Sequence, residues 1–142
     1  MKILMSMLFL FSFGFAKTAQ AECADNLEEL HEMMGEGFKL DWRETTANDG
    51  KPMMLNITEK GGKLHLVFDK TNEGVWGSGE IKICKNGSSY SIVASDMQPG
   101  KKTPFLLKGA MSGNKTFNLE IPSHNNIKVS GGGWKGTFEE AN

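Results

Sequence analysis

The stretch Leu55-Asn56-Ile57-Thr58-Glu59-Lys60-Gly61-Gly62-Lys63-Leu64-His65-Leu66-Val67-Phe68 decides the fold. Apolar side chains occupy every second position on both sides of Lys60-Gly61-Gly62, the period of strands with one buried face. The glycine pair turns the chain, so the two runs read as a hairpin. Working outward, Met53 extends the first run, and Leu40 to Glu44 forms a weaker strand before it. Downstream, Thr71-Asn72-Glu73-Gly74 turns the chain into the face Val75, Gly77, Gly79, Ile81 and Ile83. Asn86-Gly87 is the sharpest hairpin signal, because both residues accept the positive φ of a type I′ turn. Tyr90, Ile92 and Ala94 follow, then a long loop through Pro99-Gly100. Phe105, Leu107, Gly109 and Met111 predict a further strand, Ser112-Gly113-Asn114 a turn, and Phe117, Leu119 and Ile121 another strand. Ile127 and Val129, the three glycines 131–133, and Trp134, Gly136 and Phe138 complete the series.

This makes a mainly β chain of eight or nine strands with mostly short connections, hence sequential antiparallel neighbours. An open meander leaves two hazardous edges, and closure removes them. The reading is therefore a small up-and-down antiparallel barrel of about eight strands with one short N-terminal amphipathic helix. A two-sheet β-sandwich is the alternative.

Upstream of the strands, Lys2 precedes the apolar run Ile3 to Ala16, and Ala19-Gln20-Ala21 supplies a small-x-small cleavage pattern. Residues 1–21 therefore read as a cleaved signal peptide, too short to span a bilayer. Residues 22–39 form a helical segment, and 40–142 form the meander that makes one domain with it. The protein is 142 residues long. Cleavage removes Lys2 and Lys17, leaving 14 basic side chains against 17 acidic ones, a net charge of −3. Such a balance argues against a general nucleic-acid binder, which needs clustered Lys and Arg. Nothing else in the sequence approaches membrane length, and the expected product is an exported monomer, periplasmic or secreted. The two cysteines then pair most simply as Cys23–Cys84.

Asp25 is positioned to cap the helix, with Glu28 completing a capping box. Leu27, Leu30, Met33, Met34 and Phe38 form its apolar stripe, and Gly35 and Gly37 its stop. On the outward phase of the strands, Met54, Val67 and Trp76 are apolar exceptions on consecutive strands. They predict a patch on which the helix packs outside the barrel, near the Cys23–Cys84 bridge. The rival placement plugs one open end.

The residues offer little chemistry. His31, His65 and His124 fall on the helix, a strand and a loop, without metal-ligand spacing. Asp69 to Gly74 lacks the alternation and distal glutamate of a calcium loop. There is no Gly-x-Ser-x-Gly elbow, no Cys-x-x-Cys pair and no phosphate-binding glycine loop. No enzyme activity, cofactor or metal is expected. Asn56, Asn86 and Asn114 begin Asn-x-Ser/Thr sequons, two of them at turns. Lys101-Lys102 makes a basic loop tip, and Glu28, Glu29, Glu32 and Glu36 an acidic helix face; either suits a charged partner.

An eight-stranded barrel is just wide enough to be filled by side chains or to hold one small ligand. The inward set is almost wholly apolar, with Leu55, Leu66, Phe68, Ile81, Tyr90, Phe105 and Phe117 as the lining of a site for a small apolar or lipid-like ligand. The glycines at 77, 79 and 109 leave room for it. In general architecture the chain resembles the lipocalins and related secreted barrels, a likeness that implies carriage of an apolar small molecule. Their Gly-x-Trp near the first strand is replaced here by Leu40-Asp41-Trp42, and Gly133-Trp134 lies at the far end, so no family residues are carried over. The alternative function is an envelope or secreted protein-interaction or inhibitor module with a filled core.

Overall fold

The computed structural model describes residues 22–141; the expected signal peptide lies outside them. In chain order the elements are β1 (Glu22–Ala24), α1 (Leu27–Met34), β2 (Asp41–Glu44), β3 (Met53–Lys60), β4 (Lys63–Lys70), β5 (Gly74–Asn86), β6 (Ser89–Pro99), β7 (Gly113–Ser123), β8 (Asn126–Gly131) and β9 (Trp134–Glu140). Strands β2 to β9 pair in sequence order, and β2 also pairs β9, so the meander closes into an eight-stranded antiparallel barrel. The sandwich is excluded by that closure.

β1 is an extra strand that periodicity did not reveal. It pairs with β5 beyond the point where β4 begins, placing Cys23 directly opposite Cys84, and the two are bonded. The helix is capped one residue later than the sequence pattern implies. Asn26 accepts from the Glu29 amide at 2.9 Å, and Glu29 reaches back to the Asp25 amide at 2.8 Å. Gly35, at φ 95°, ends it.

The helix takes the rival position. Its start is tied to the β3–β4 hairpin, where Leu64 N–H donates to the Asp25 carbonyl at 2.8 Å and Leu27 N–H donates to Glu59 at 2.9 Å. Its far end reaches Tyr90, Ile121 and His124 at the rim. Leu30 is fully buried in the common core. The helix thus covers one open end of the barrel, and the expected outside patch of Met54, Val67 and Trp76 is not its seat. Met54 and Val67 remain half-buried on the outer wall.

Trp76 is elsewhere for a specific reason. Phe68 pairs Gly77, but Asp69 pairs Val75, so Trp76 is the extra residue of a β-bulge. A bulge breaks the alternation of faces. Trp76 turns into the core at the end opposite the helix and is only 9% exposed.

The expected strand at 105–111 is also corrected. Residues Phe105–Leu107 and Gly109–Met111 form two 3₁₀ turns, preceded by Pro104. Leu106 and Ala110 break the alternation, and local bonds such as Leu107 N–H to the Pro104 carbonyl (2.8 Å) take the place of a ladder.

The disulfide joins residues 61 apart, so cutting it restores the denatured chain's freedom over a long loop. Replacing both cysteines with serine is expected to cost about 4 kcal/mol in the chain-entropy model. Urea titration of the oxidised protein and the double variant measures it.

Candidate functional site

The barrel interior is the site the sequence nominates. Leu55 on β3, Leu66 and Phe68 on β4, Ile81 on β5 and Phe117 on β7 are all buried within it. Tyr90 lies half-buried at the rim, with the Lys85 ammonium 5.9 Å from its ring. Phe105 belongs to no wall; it is 84% exposed, because its segment is a turn outside the barrel.

The centre is occupied by rings from opposing walls. Phe68 meets Phe117 at 5.7 Å and Trp134 at 5.2 Å between centroids, both edge to face, and Trp134 meets Phe138 at 6.1 Å. β4 is separated from β7, and likewise from β9, by two strands one way round the barrel and four the other, so these rings touch across the lumen. Edge-to-face pairs at such separations are the favoured aromatic geometry.

The space over the inward glycines is taken as well. A Cβ on Gly77 would lie 2.7 Å from the Met111 sulfur, and one on Gly79 would lie 3.0 Å from the Met97 sulfur. Met97 enters through a second bulge. Ser78 and Glu80 pair with Gln98 and Ser95, leaving one extra residue on β6, and Asp96 there adopts φ 52°. Unbranched and polarisable, methionine fills irregular space well.

At the end opposite the helix, one charge points inward. Lys70 shares the phase of Leu64, Leu66 and Phe68, so alternation alone sends it into the barrel, and it is 7% exposed. Its ammonium pairs with Asp49 at 3.1 Å and lies 5.4 Å from the centre of the Trp76 ring. A buried ammonium needs such partners. The parity was visible in the sequence; Asp49, on the β2–β3 connection, was not a recognisable partner without the fold. The Lys51 amide and the Lys70 ammonium both donate to the Asp49 carboxylate and hold its pKa below the ordinary value.

Among the described residues, grooves open on the exterior. One, of ≈ 590 Å³, crosses β7, β8, β9 and β2, where Lys128 and Lys135 lie between Glu120 and Glu44. Glu120 is the direct cross-strand partner of Lys128, an ordinary stabilising arrangement. A second, of ≈ 300 Å³, lies over the starts of β6 and the end of β7. A third, of ≈ 510 Å³, lies between the helix end and the rim, lined by Met34, Phe38, Tyr90, Ile121 and His124. Among the described residues no group of three or more His, Cys, Asp or Glu is placed to hold a metal ion, and no helix is long and apolar enough to cross a membrane.

No family model, curated protein or solved structure matches the chain.

Because Asp49 titrates below its ordinary value, its stabilising charge is present at neutral pH and lost as pH falls through the folded-state pKa. Asp49→Asn should lower Tm at neutral pH. The gap to wild type should close below the ordinary carboxylate range, as followed by circular dichroism melts across pH.

Proposed function

We propose that the protein is an exported, non-enzymatic interaction module that acts through its surface, with its interior serving as core. One observation carries this reading: Phe68, Phe117 and Trp134 meet across the lumen at ring-packing distance. Opposed walls whose side chains already touch leave the centre to the protein itself, as in other small barrels. Met97 and Met111 fill the places where the glycines would otherwise admit a ligand.

Export accords with the bridge between Cys23 and Cys84, since disulfides persist in oxidising compartments. In a small domain such a bridge also supplies stability that a modest core lacks. The N-terminal apolar segment and Ala19-Gln20-Ala21 support cleavage before Glu22. Carriage of a small apolar ligand remains the second reading. Its favourable observation is the apolar groove beside Phe38, Tyr90 and Ile121, which lies outside the barrel wall rather than within it.

Native mass spectrometry of the exported protein, recovered without detergent, tests both parts. The expected result is a single species whose mass begins at Glu22, carrying one disulfide and no bound lipid. Fatty acids should leave its tryptophan fluorescence without saturable quenching. A retained lipid, or saturation at one ligand per chain, would overturn the filled-core reading.

If the rings are the core, Phe117→Ala should destabilise the fold by about 3–5 kcal/mol. It should also create a pocket that takes up a small aromatic probe such as indole, which the wild type excludes. Denaturant titration and isothermal calorimetry read the two effects.

A further inference from the structure

The connection from β6 to β7 places the most exposed large apolar side chains of the described residues at one point. Phe105 is 84% exposed and Leu106 is 90% exposed. The loop that carries them is tightly held. Gly100 N–H donates to the Trp76 carbonyl at 3.3 Å, and a Cβ on Gly100 would collide with the Val75 carbonyl oxygen. Buried Thr103 donates its hydroxyl to the same Trp76 carbonyl at 2.8 Å. At the other end Met111 is sunk in the barrel, and Ser112 donates to the Lys108 carbonyl at 2.6 Å. Between these anchors, consecutive 3₁₀ turns fix the backbone. Phe105 and Leu106 are therefore presented by an ordered scaffold, and ordering them for a partner costs little.

The charges around them have one sign. Lys101, Lys102 and Lys108 flank the pair and are exposed, and among the described residues no carboxylate lies within ion-pair distance of them. The acids of the adjacent connections are engaged: Asp49 with Lys70 at 3.1 Å and Glu73 with Lys51 at 3.2 Å. Exposed Glu28, Glu29, Glu32 and Glu36 lie on or just after the helix at the opposite end of the barrel. Exposed Lys60 and Lys63 stand beside the helix start, so that end carries both signs of charge, whereas the tip carries lysines around its apolar pair.

We propose that this tip docks on an anionic lipid surface, with Phe105 and Leu106 entering the interface and Lys101, Lys102 and Lys108 meeting the headgroups. The proposal rests on the surface-acting reading above and names its partner. Lysine is depleted at protein–protein interfaces, whose anchors are mainly Trp, Tyr and Arg seated in pockets. Two protruding apolar side chains ringed by lysines match the lipid boundary instead. There the ammonium groups reach the headgroups while the apolar side chains sink to the acyl boundary.

Flotation of the mature chain with vesicles of 30% phosphatidylglycerol in phosphatidylcholine tests it, with pure phosphatidylcholine as the comparison. Wild type should partition to the anionic vesicles and be released by raising salt. F105S/L106S should lose at least about tenfold of that partitioning, and each lysine-to-glutamine change about fivefold, with Tm unchanged. Absence of flotation on anionic vesicles, or equal flotation of wild type and F105S/L106S, would overturn the proposal. Tip-dependent capture of a purified protein without vesicle binding would also overturn it, by assigning the tip to a protein partner. In both cases a lipid-free protein by native mass spectrometry leaves the surface-acting reading standing, whereas lipid retained inside the barrel defeats that reading separately.

Discussion

The seam between β2 and β9 is the constraint on which the rest depends. It is short, pairing Trp42 with Glu140, Arg43 with Glu139 and Glu44 with Phe138. It joins the ends of the meander, and without it the other seven pairings would form an open sheet with exposed edges. Side chains reinforce it: Arg43 contacts Glu139 at 3.1 Å, and Lys39 contacts Glu140 at 3.5 Å. Surface pairs of this kind contribute little each. The backbone bonds beyond the paired residues matter more, with Thr45 N–H donating to the Thr137 carbonyl at 2.8 Å and Ala141 N–H to the Asp41 carbonyl at 3.0 Å.

Closure at eight strands sets the width of the interior, and the width decides what the interior can be. Rings from β4, β7 and β9 reach one another, so the centre has the density of a core. Two bulges adjust the fit. One turns Trp76 inward beside Lys70, and the other carries Met97 over Gly79. Each spends a ladder position to deliver a large side chain where strict alternation would have placed it on the wall's outer face.

With the middle filled, the two ends of the barrel differ in what they present to solvent. The helix lids one end, where glutamates and lysines mix; the ordered β6–β7 connection gives the other an apolar point among lysines. The Cys23–Cys84 bridge fastens the chain just before the helix to the long strand β5. That strand spans the barrel from the Trp76 end to the helix end, so it links the lid to the wall that supports the opposite loop.

The sequence alone determined the eight strands of the barrel wall, their antiparallel order and the disulfide, while it missed β1 and misread 105–111 as a strand. A period of two, glycine-bearing turns and an even cysteine count are local signals, and each follows from the geometry of a few neighbouring residues. It also placed Leu55, Leu66, Phe68, Ile81 and Phe117 on the inner wall. Only the tertiary structure decided where the helix sits, whether the lumen is full, and that Phe105 stands in water. Bulges at Trp76 and Asp96 reverse the phase without a sequence mark that alternation can detect. Contacts such as Phe68 with Phe117 or Lys70 with Asp49 join residues 49 and 21 positions apart. The side chains a barrel brings together are chosen by its circumference, and circumference is a property of the closed sheet.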